Sequence, residues 1–260
     1  MSEQVHKKVI YTALTGSYDA LKQPAVIRED WDYICFTEVD GQDGVWKLRR
    51  IDFEGSNVEK ARQVKLQPQR VLPEYEVSVW IDANICITGD EFYEQIESAL
   101  SEGNLFGALP HGKRDCVFDE LCVCYALGRI SWKQAYTHLR RLMAMRMPRH
   151  AGLYETNVLL RRHLHPDVVG LDNAWWDLFR RCSTRDQLTF TPVLAYPAAC
   201  GNTAHPVSPI LLFGKGRNAR NVDYLQYERK HTGGKADPAM GPVRWFCEKL
   251  LRLIIKCYRP

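Results

Sequence analysis

The chain has 260 residues, 45% hydrophobic, 25% charged and 11% aromatic, the proportions of an ordinary globular protein long enough for one large domain. A net charge of +4 is too mild to argue for nucleic acid, and no uncharged apolar run reaches the roughly 18 residues needed to cross a bilayer. Nine cysteines, an odd number without the rhythm of a disulfide framework or a zinc site, read as free thiols of a reducing compartment.

The opening MSEQVHKKVIYTAL passes from a short polar leader into a strand, without the apolar run and cleavage site of a signal peptide, so a cytoplasmic location is expected. KVIYTAL (Lys8 to Leu14) is the first strand, ending at the turn cluster TGSYD. Tyr33 to Glu38 is a second strand and Val45 to Phe53 a third. Ser56 and Glu59 have capping-box spacing and open a helix through Leu66 that carries Lys60, Arg62 and Lys65. SVWIDANICI (Ser78 to Ile87) reads as a single buried strand with Asp82 and Asn84 on one face.

GDEFYEQIESALSEG is a helix, with Asp90 as its N-cap and Gly103 as its stop. NLFGALPH is a strand, and two helices follow: DCVFDELCVCYALG, and SWKQAYTHLRRLMAMRM opened by a Ser131–Gln134 capping box. YETNVLLRRH (Tyr154 to His163) is a strand. NAWWDLFRRC is a helix, and STRDQLTFTPVLAY another that runs into Pro192. Alternation of strand and helix predicts the α/β class with a largely parallel sheet over 1–200. Residues 201–242 form a basic Gly/Pro-rich loop region. Residues 243–260 form an amphipathic helix whose apolar face carries Val243, Phe246, Leu250, Leu253, Ile254 and Cys257.

Asp82 and Asn84 present two hard oxygen donors among apolar neighbours, a pattern suited to Mg2+ or Mn2+ with phosphate oxygens completing the shell. The plain alternative is that Asp82 caps a turn and Asn84 bonds backbone. Arg114, Asp115, Asp119 and Glu120 open a helix, where they serve equally as caps or as sugar-hydroxyl ligands. Glu155, Thr156 and Asn157 lie just before an apolar strand segment, and Arg185, Asp186 and Gln187 at a helix start. Among the loop histidines His111, His205 and His231, His205 is the candidate to complete a metal shell with Asp82 and Asn84. No G-x-S-x-G, Walker A, H-E-x-x-H or G-x-G-x-x-G motif occurs.

The segments VIYTALTGSYD, KLQPQRVLPEYEVSVWIDANICI, RDCVFDE, GLYETNVLLRRH, WWDLF and RDQLTF occur in the order seen in the TOD/MUCI-type glycosyltransferase-like domains, which residues 8 to 195 resemble. The resemblance implies a GT-A type glycosyltransferase: a Rossmann-like, mostly parallel sheet with a nucleotide-diphosphate sugar at its strand ends. IDANI stands where such enzymes carry D-x-D, so Asp82 would hold the ribose or sugar and Asn84 a metal ion, Mn2+ or Mg2+. Asn in place of the second Asp is a departure, and a neutral ligand holds a divalent metal more weakly than a carboxylate. Thr15, Gly16 and Tyr18 would face the nucleoside, and Lys60, Arg62 and Lys65 the sugar-phosphate. Arg114 and Asp115 join the donor-binding set. Glu155, Asn157 and Gln187 would line the donor sugar and acceptor.

Glycosyl transfer develops negative charge on the departing diphosphate and positive character on the sugar. An inverting enzyme also needs a base, for which Asp186 is the first candidate; a retaining enzyme can do without one. The expected acceptor is a glycan or lipid-linked glycan of a surface polysaccharide. A non-catalytic scaffold that binds nucleotide sugar is the alternative that Asn84 keeps open. A nucleotidyltransferase is disfavoured because TGSYDALKQP is a poor phosphate loop. The terminal helix either docks on the domain or lies on an anionic membrane surface, which would make the protein peripheral on the inner face.

Overall fold

The computed structural model describes residues 7–16, 20–182, 185–201, 205–212, 223–227 and 240–260. Strands β1 (Lys8–Ala13), β2 (Trp31–Thr37), β3 (Gly41–Asp43), β4 (Trp46–Arg50) and β5 (Val77–Ile81) come first, with α1 (Asn57–Leu66) and α2 (Pro68–Val71) before the fifth. Then follow β6 (Ile85–Ile87), α3 (Glu91–Ser101), β7 (Phe106–Pro110), α4 (Val117–Ala126), α5 (Trp132–Ala144) and β8 (Tyr154–Arg161). Helices α6 (Pro166–Cys182) and α7 (Asp186–Ala195), strands β9 (Ile210–Leu211) and β10 (Leu225–Tyr227), and α8 (Pro242–Cys257) complete the chain.

The main sheet has eight strands in the order β3-β4-β2-β1-β5-β8-β7-β9. Strands β4, β2, β1, β5, β7 and β9 point one way, and β3 and β8 the other. This is a mixed, mostly parallel α/β sheet. Along β1, Val9 and Tyr11 enter one hydrophobic layer and Ile10 the other, because successive side chains leave a strand on opposite faces. Both faces are covered, which is why these strands read as unbroken apolar runs. A third apolar cluster joins α4, α5 and α8.

Local signals explain the starts of α1 and α5. Both bonds of the capping boxes are present, Ser56 with Glu59 and Ser131 with Gln134. Pro192 sits inside α7 and cannot donate to the Leu188 carbonyl one turn back. His138 of α5 supplies that bond instead, with Nε2 3.0 Å from the Leu188 oxygen.

Several expectations are corrected. Ser78 to Ile87 is not a single strand: β5 ends at Ile81, the chain turns with the Ile85 amide on the Asp82 carbonyl (2.9 Å), and β6 pairs with β10 in a separate two-stranded sheet. Asp82 and Asn84 therefore stand in the turn, not inside the core strand. The third strand is a hairpin, with Gly44 turning between β3 and β4 at φ +55°. Asp90 does not cap α3; its backbone is already helical and its carboxylate pairs with Arg28 at 2.9 Å. In the loop region the described parts rejoin the domain, β9 as an edge strand beside β7 and β10 beside β6.

Candidate active site

In an α/β sheet with this strand order, β1 and β5 lead to elements on opposite sides, and their carboxyl ends are the position where open α/β sheets hold ligands. Asp82 stands there, one residue past β5. Its amide donates to the Asn157 carbonyl at 2.9 Å, which ties the β5 end to β8. Its Oδ1 accepts the Trp80 indole N–H at 2.8 Å and faces Lys65 Nζ at 3.4 Å. Trp80 is itself set edge-on against Tyr11 of β1, with ring centroids 5.3 Å apart.

Lys65 is the hub beneath Asp82. Its side chain is 2% exposed, and Nζ lies 2.7 Å from Asp186 Oδ2 and 3.3 Å from Thr156 Oγ1. The Lys65 carbonyl accepts from Arg161 Nη1 (2.7 Å) and the Tyr11 hydroxyl (3.3 Å), which fixes the last turn of α1 against the sheet. Arg62, one turn earlier, forms an ion pair with Asp186 Oδ1 at 3.1 Å. The Thr156 hydroxyl donates to Asp186 Oδ2 at 2.8 Å.

Asp186 is therefore held by three partners at the start of α7. Burial alone would push its carboxyl up, but Arg62, then Lys65 and Arg185, override this and hold it well below the usual carboxylate range. A carboxylate so stabilised is a poor proton acceptor. In this arrangement Asp186 ties Lys65 and Arg62 together, and its service as general base remains the expectation that turnover measurements test.

Strand β8 presents Glu155, Thr156 and Asn157 through a bulge. Its register against β7 jumps from Ala108↔Leu159 to Leu109↔Glu155, leaving residues 156–158 without counterparts on β7. Such an insertion re-aims side chains at a strand end. Asn157 Nδ2 donates to Glu155 Oε2 at 3.2 Å, while Asn157 Oδ1 is buried without a hydrogen-bond partner among the described residues. Gln187 is turned to structure, its amide donating to the Tyr154 carbonyl at 3.0 Å.

At the end of β1 the Thr15 hydroxyl donates to the Asn57 carbonyl (3.0 Å) and the Gly16 amide to Glu38 (2.6 Å). Gly16 has φ +63°, a left-handed backbone in which a side chain is strained, and a Cβ there would also displace the Asn57 side-chain amide, so the turn favours glycine. Burial raises the Glu38 carboxyl, and the Gly16 amide, the Thr37 hydroxyl and Lys60 together pull it below its ordinary value. Tyr18 and His231 lie outside the described residues.

The other candidates divide. Arg114 reaches Glu120 at 2.5 Å, and Glu120, 2% exposed, lies 3.8 Å from His111 Nε2. Asp115 pairs with His150 on the surface at 2.7 Å, both side chains more than half exposed, apart from the contacts that join the cluster. His205 pairs with Asp167 in the first turn of α6 at 3.3 Å. Trp175, whose indole bonds the Asp186 carbonyl, is eight residues further along that helix, about 12 Å by the helical rise. His205 thus belongs to the other end of α6 and does not meet Asp82 and Asn84.

For Mn2+ or Mg2+, Asp82 offers Oδ2, which takes no hydrogen bond among the described residues, and Asn84 adds an amide in the same turn. Two oxygen donors fit a weakly held hard cation that draws its remaining ligands from diphosphate and water. Among the described residues no group of three His, Cys, Asp or Glu is placed to hold a metal.

Sequence reading missed Trp80 and Glu38. Trp80 was legible in principle, being two residues before Asp82 and so on its side of the strand; Glu38 meets Gly16 only through the parallel pairing of β1 and β2. An open cavity of about 520 Å³ lies at the amino ends of β1 and β2, lined by Lys7, Trp31, Asp32 and Tyr75 among others, and contains none of the cluster.

No family model and no curated protein matches the chain. Among solved structures, the apo form of mouse xyloside xylosyltransferase 1 aligns at a TM-score of 0.42 and 9% identity, over 74% of this chain and 82% of that one. The apo structure of the WbbM bifunctional glycosyltransferase aligns at 0.42 and 10%, over 92% of this chain and 47% of that one. At this depth neither likeness bears on substrate, and the functional reading rests on the geometry above.

Proposed function

We propose that the protein is a glycosyltransferase that moves a sugar from a nucleotide-diphosphate donor to a glycan or lipid-linked glycan acceptor, in surface polysaccharide assembly. The observation that carries this reading is Asp82 in the turn after β5, at the switch point of the sheet, braced by Trp80 and Lys65 and backed by Arg62. In this reading the Thr15–Gly16 turn meets the nucleoside, and Lys60 and Arg62, both part-exposed, meet the diphosphate. Asp82, 37% exposed against 5% for Asp186, is the cluster carboxylate open to a ligand. Glu155 and Asn157 at the β8 bulge face the donor sugar, with the side-chain Oδ1 of Asn157, which has no partner among the described residues, left to receive a sugar hydroxyl.

In the reaction the bond from the anomeric carbon to the diphosphate oxygen breaks, and the acceptor hydroxyl oxygen bonds to that carbon. Charge accumulating on the leaving diphosphate is stabilised by Arg62 and Lys60. Mn2+ or Mg2+, held by Asp82 and Asn84 when bound, would neutralise the same charge. With Asp186 locked in ion pairs, the reading favours the retaining course, in which the departing phosphate oxygen takes the acceptor proton.

The test is calorimetric titration with nucleoside diphosphates and nucleotide sugars, with and without Mn2+, on the wild type and Asp82→Ala. Binding by the wild type and its loss in the variant are expected. No binding of any nucleotide sugar sinks the proposal. Release of nucleoside diphosphate over time then separates an enzyme from a scaffold, which gives none above background.

A further inference from the structure

Helix α8 docks on α4 through a face that the apolar pattern does not single out. Leu251 and Ile255 are buried in the third cluster with Cys247, Ile254 and Tyr258 at its edge, and the Tyr258 ring lies 5.5 Å from that of Phe118. Glu248, the helix's single acid, is buried on the same side and paired with Arg252. At 100° per residue these positions form one stripe, and the stripe Val243, Phe246, Leu250, Leu253, Cys257 falls outside it. Those apolar side chains stand in solvent: Val243 is 77% exposed, Phe246 64% and Leu253 57%. Beside them runs a third stripe of exposed Lys249, Arg252, Lys256 and Arg259, with Trp245 half exposed under Lys249 at 5.6 Å.

The solvent half of α8 is thus itself amphipathic, an apolar band next to a cationic band with no acid on either. We infer that this half of α8 is a docking surface for an anionic lipid bilayer, lying in the headgroup plane with Phe246 and Leu253 inserted and Lys249 and Lys256 on lipid phosphates. Charge decides against a second copy as the occupant. The apolar spacing would suit an antiparallel helix pair, but that pairing sets Lys249 and Lys256 of the two copies against each other, and the stripe covers only about two heptads. An anionic surface satisfies both bands at once. The helix does not cross: among the described residues no helix is long and apolar enough to span a membrane. This inference is independent of the proposed activity.

The experiment is flotation of the full chain with vesicles of phosphatidylcholine alone and with part replaced by phosphatidylglycerol, at low and high salt. The wild type is expected to float with the anionic vesicles and to be released by salt. Lys249→Gln with Lys256→Gln weakens partitioning about thirtyfold, and Phe246→Ser with Leu253→Ser at least as much. Both pairs of substitutions lie on exposed positions, so thermal unfolding should match the wild type. Failure of the wild type to float, or equal flotation of the apolar variant, overturns the inference. So does a dimer in sedimentation that Phe246→Ser with Leu253→Ser dissolves, or salt-sensitive binding to RNA without binding to vesicles.

Discussion

Replacing Lys65 by Met and Asp186 by Leu, singly and together, distinguishes a carboxylate that clamps from one that abstracts protons. The contacts are 2.7 Å from Lys65 Nζ to Asp186 Oδ2 and 3.1 Å from Arg62 Nε to Oδ1. At an effective dielectric constant of about 20, these distances correspond to gross attractions of about 6 and about 5 kcal/mol, set against the desolvation of all three charges. Removing one partner leaves a buried charge short of its counter-ion, which costs about 3–5 kcal/mol. The lower end is expected here, because Lys65 still faces Asp82 at 3.4 Å and Asp186 still holds Arg62. The double variant leaves neither charge, and Arg62, 23% exposed, can turn to water. Urea unfolding should therefore give single losses of about 3 kcal/mol each and a double loss at least 2 kcal/mol smaller than their sum. Losses that add within about 0.5 kcal/mol refute the coupling. An Asp186→Asn protein of wild-type stability but with its turnover abolished would return Asp186 to the role of base.

Two further predictions concern the Asp82–Asn84 turn and the buried His138. Asn84→Asp adds a charge to the two-donor turn and should tighten Mn2+ binding about tenfold when nucleoside diphosphate is present, read by titration of free Mn2+; unchanged affinity removes Asn84 from the metal site. His138 and the Leu188 carbonyl predict a specific pH dependence. Burial pushes the His138 value down to about 4, so between pH 6.5 and 4 the unfolded chain binds a proton that the folded one refuses. Stability tied to His138 is complete above pH 6.5 and lost as pH falls towards 4. Against His138→Gln, which keeps a donor but does not titrate, the wild type should lose up to about 3 kcal/mol over that window; parallel curves in denaturant melts contradict it.

Much of the architecture was legible because its signals are local. The apolar runs of β1, β2 and β7 and the two capping boxes depend only on nearby residues. The candidate site was legible as a set of residues but not as an arrangement. Asp82 was singled out by its apolar surroundings, yet Asp82 and Asn84 stand in a turn because β6 leaves the main sheet to pair with β10, a partner about 140 residues away in the chain. Asp186 was the first candidate for the base that an inverting transfer would need. Only the packing of α1 against α7 and β8 brings Arg62, Lys65 and Thr156 to it and makes it a clamp.

What the sequence by itself determined is therefore the class of the fold and the inventory of charged side chains at its strand ends, since periodicity and capping are properties of short stretches. Tertiary structure alone decided which of those charges neutralise one another and which stay available, because that depends on distances of a few ångströms between segments remote in the chain. It decided the same for α8. An apolar stripe records that a face prefers to leave water, but whether protein or some other surface covers it depends on which face α4 has already taken.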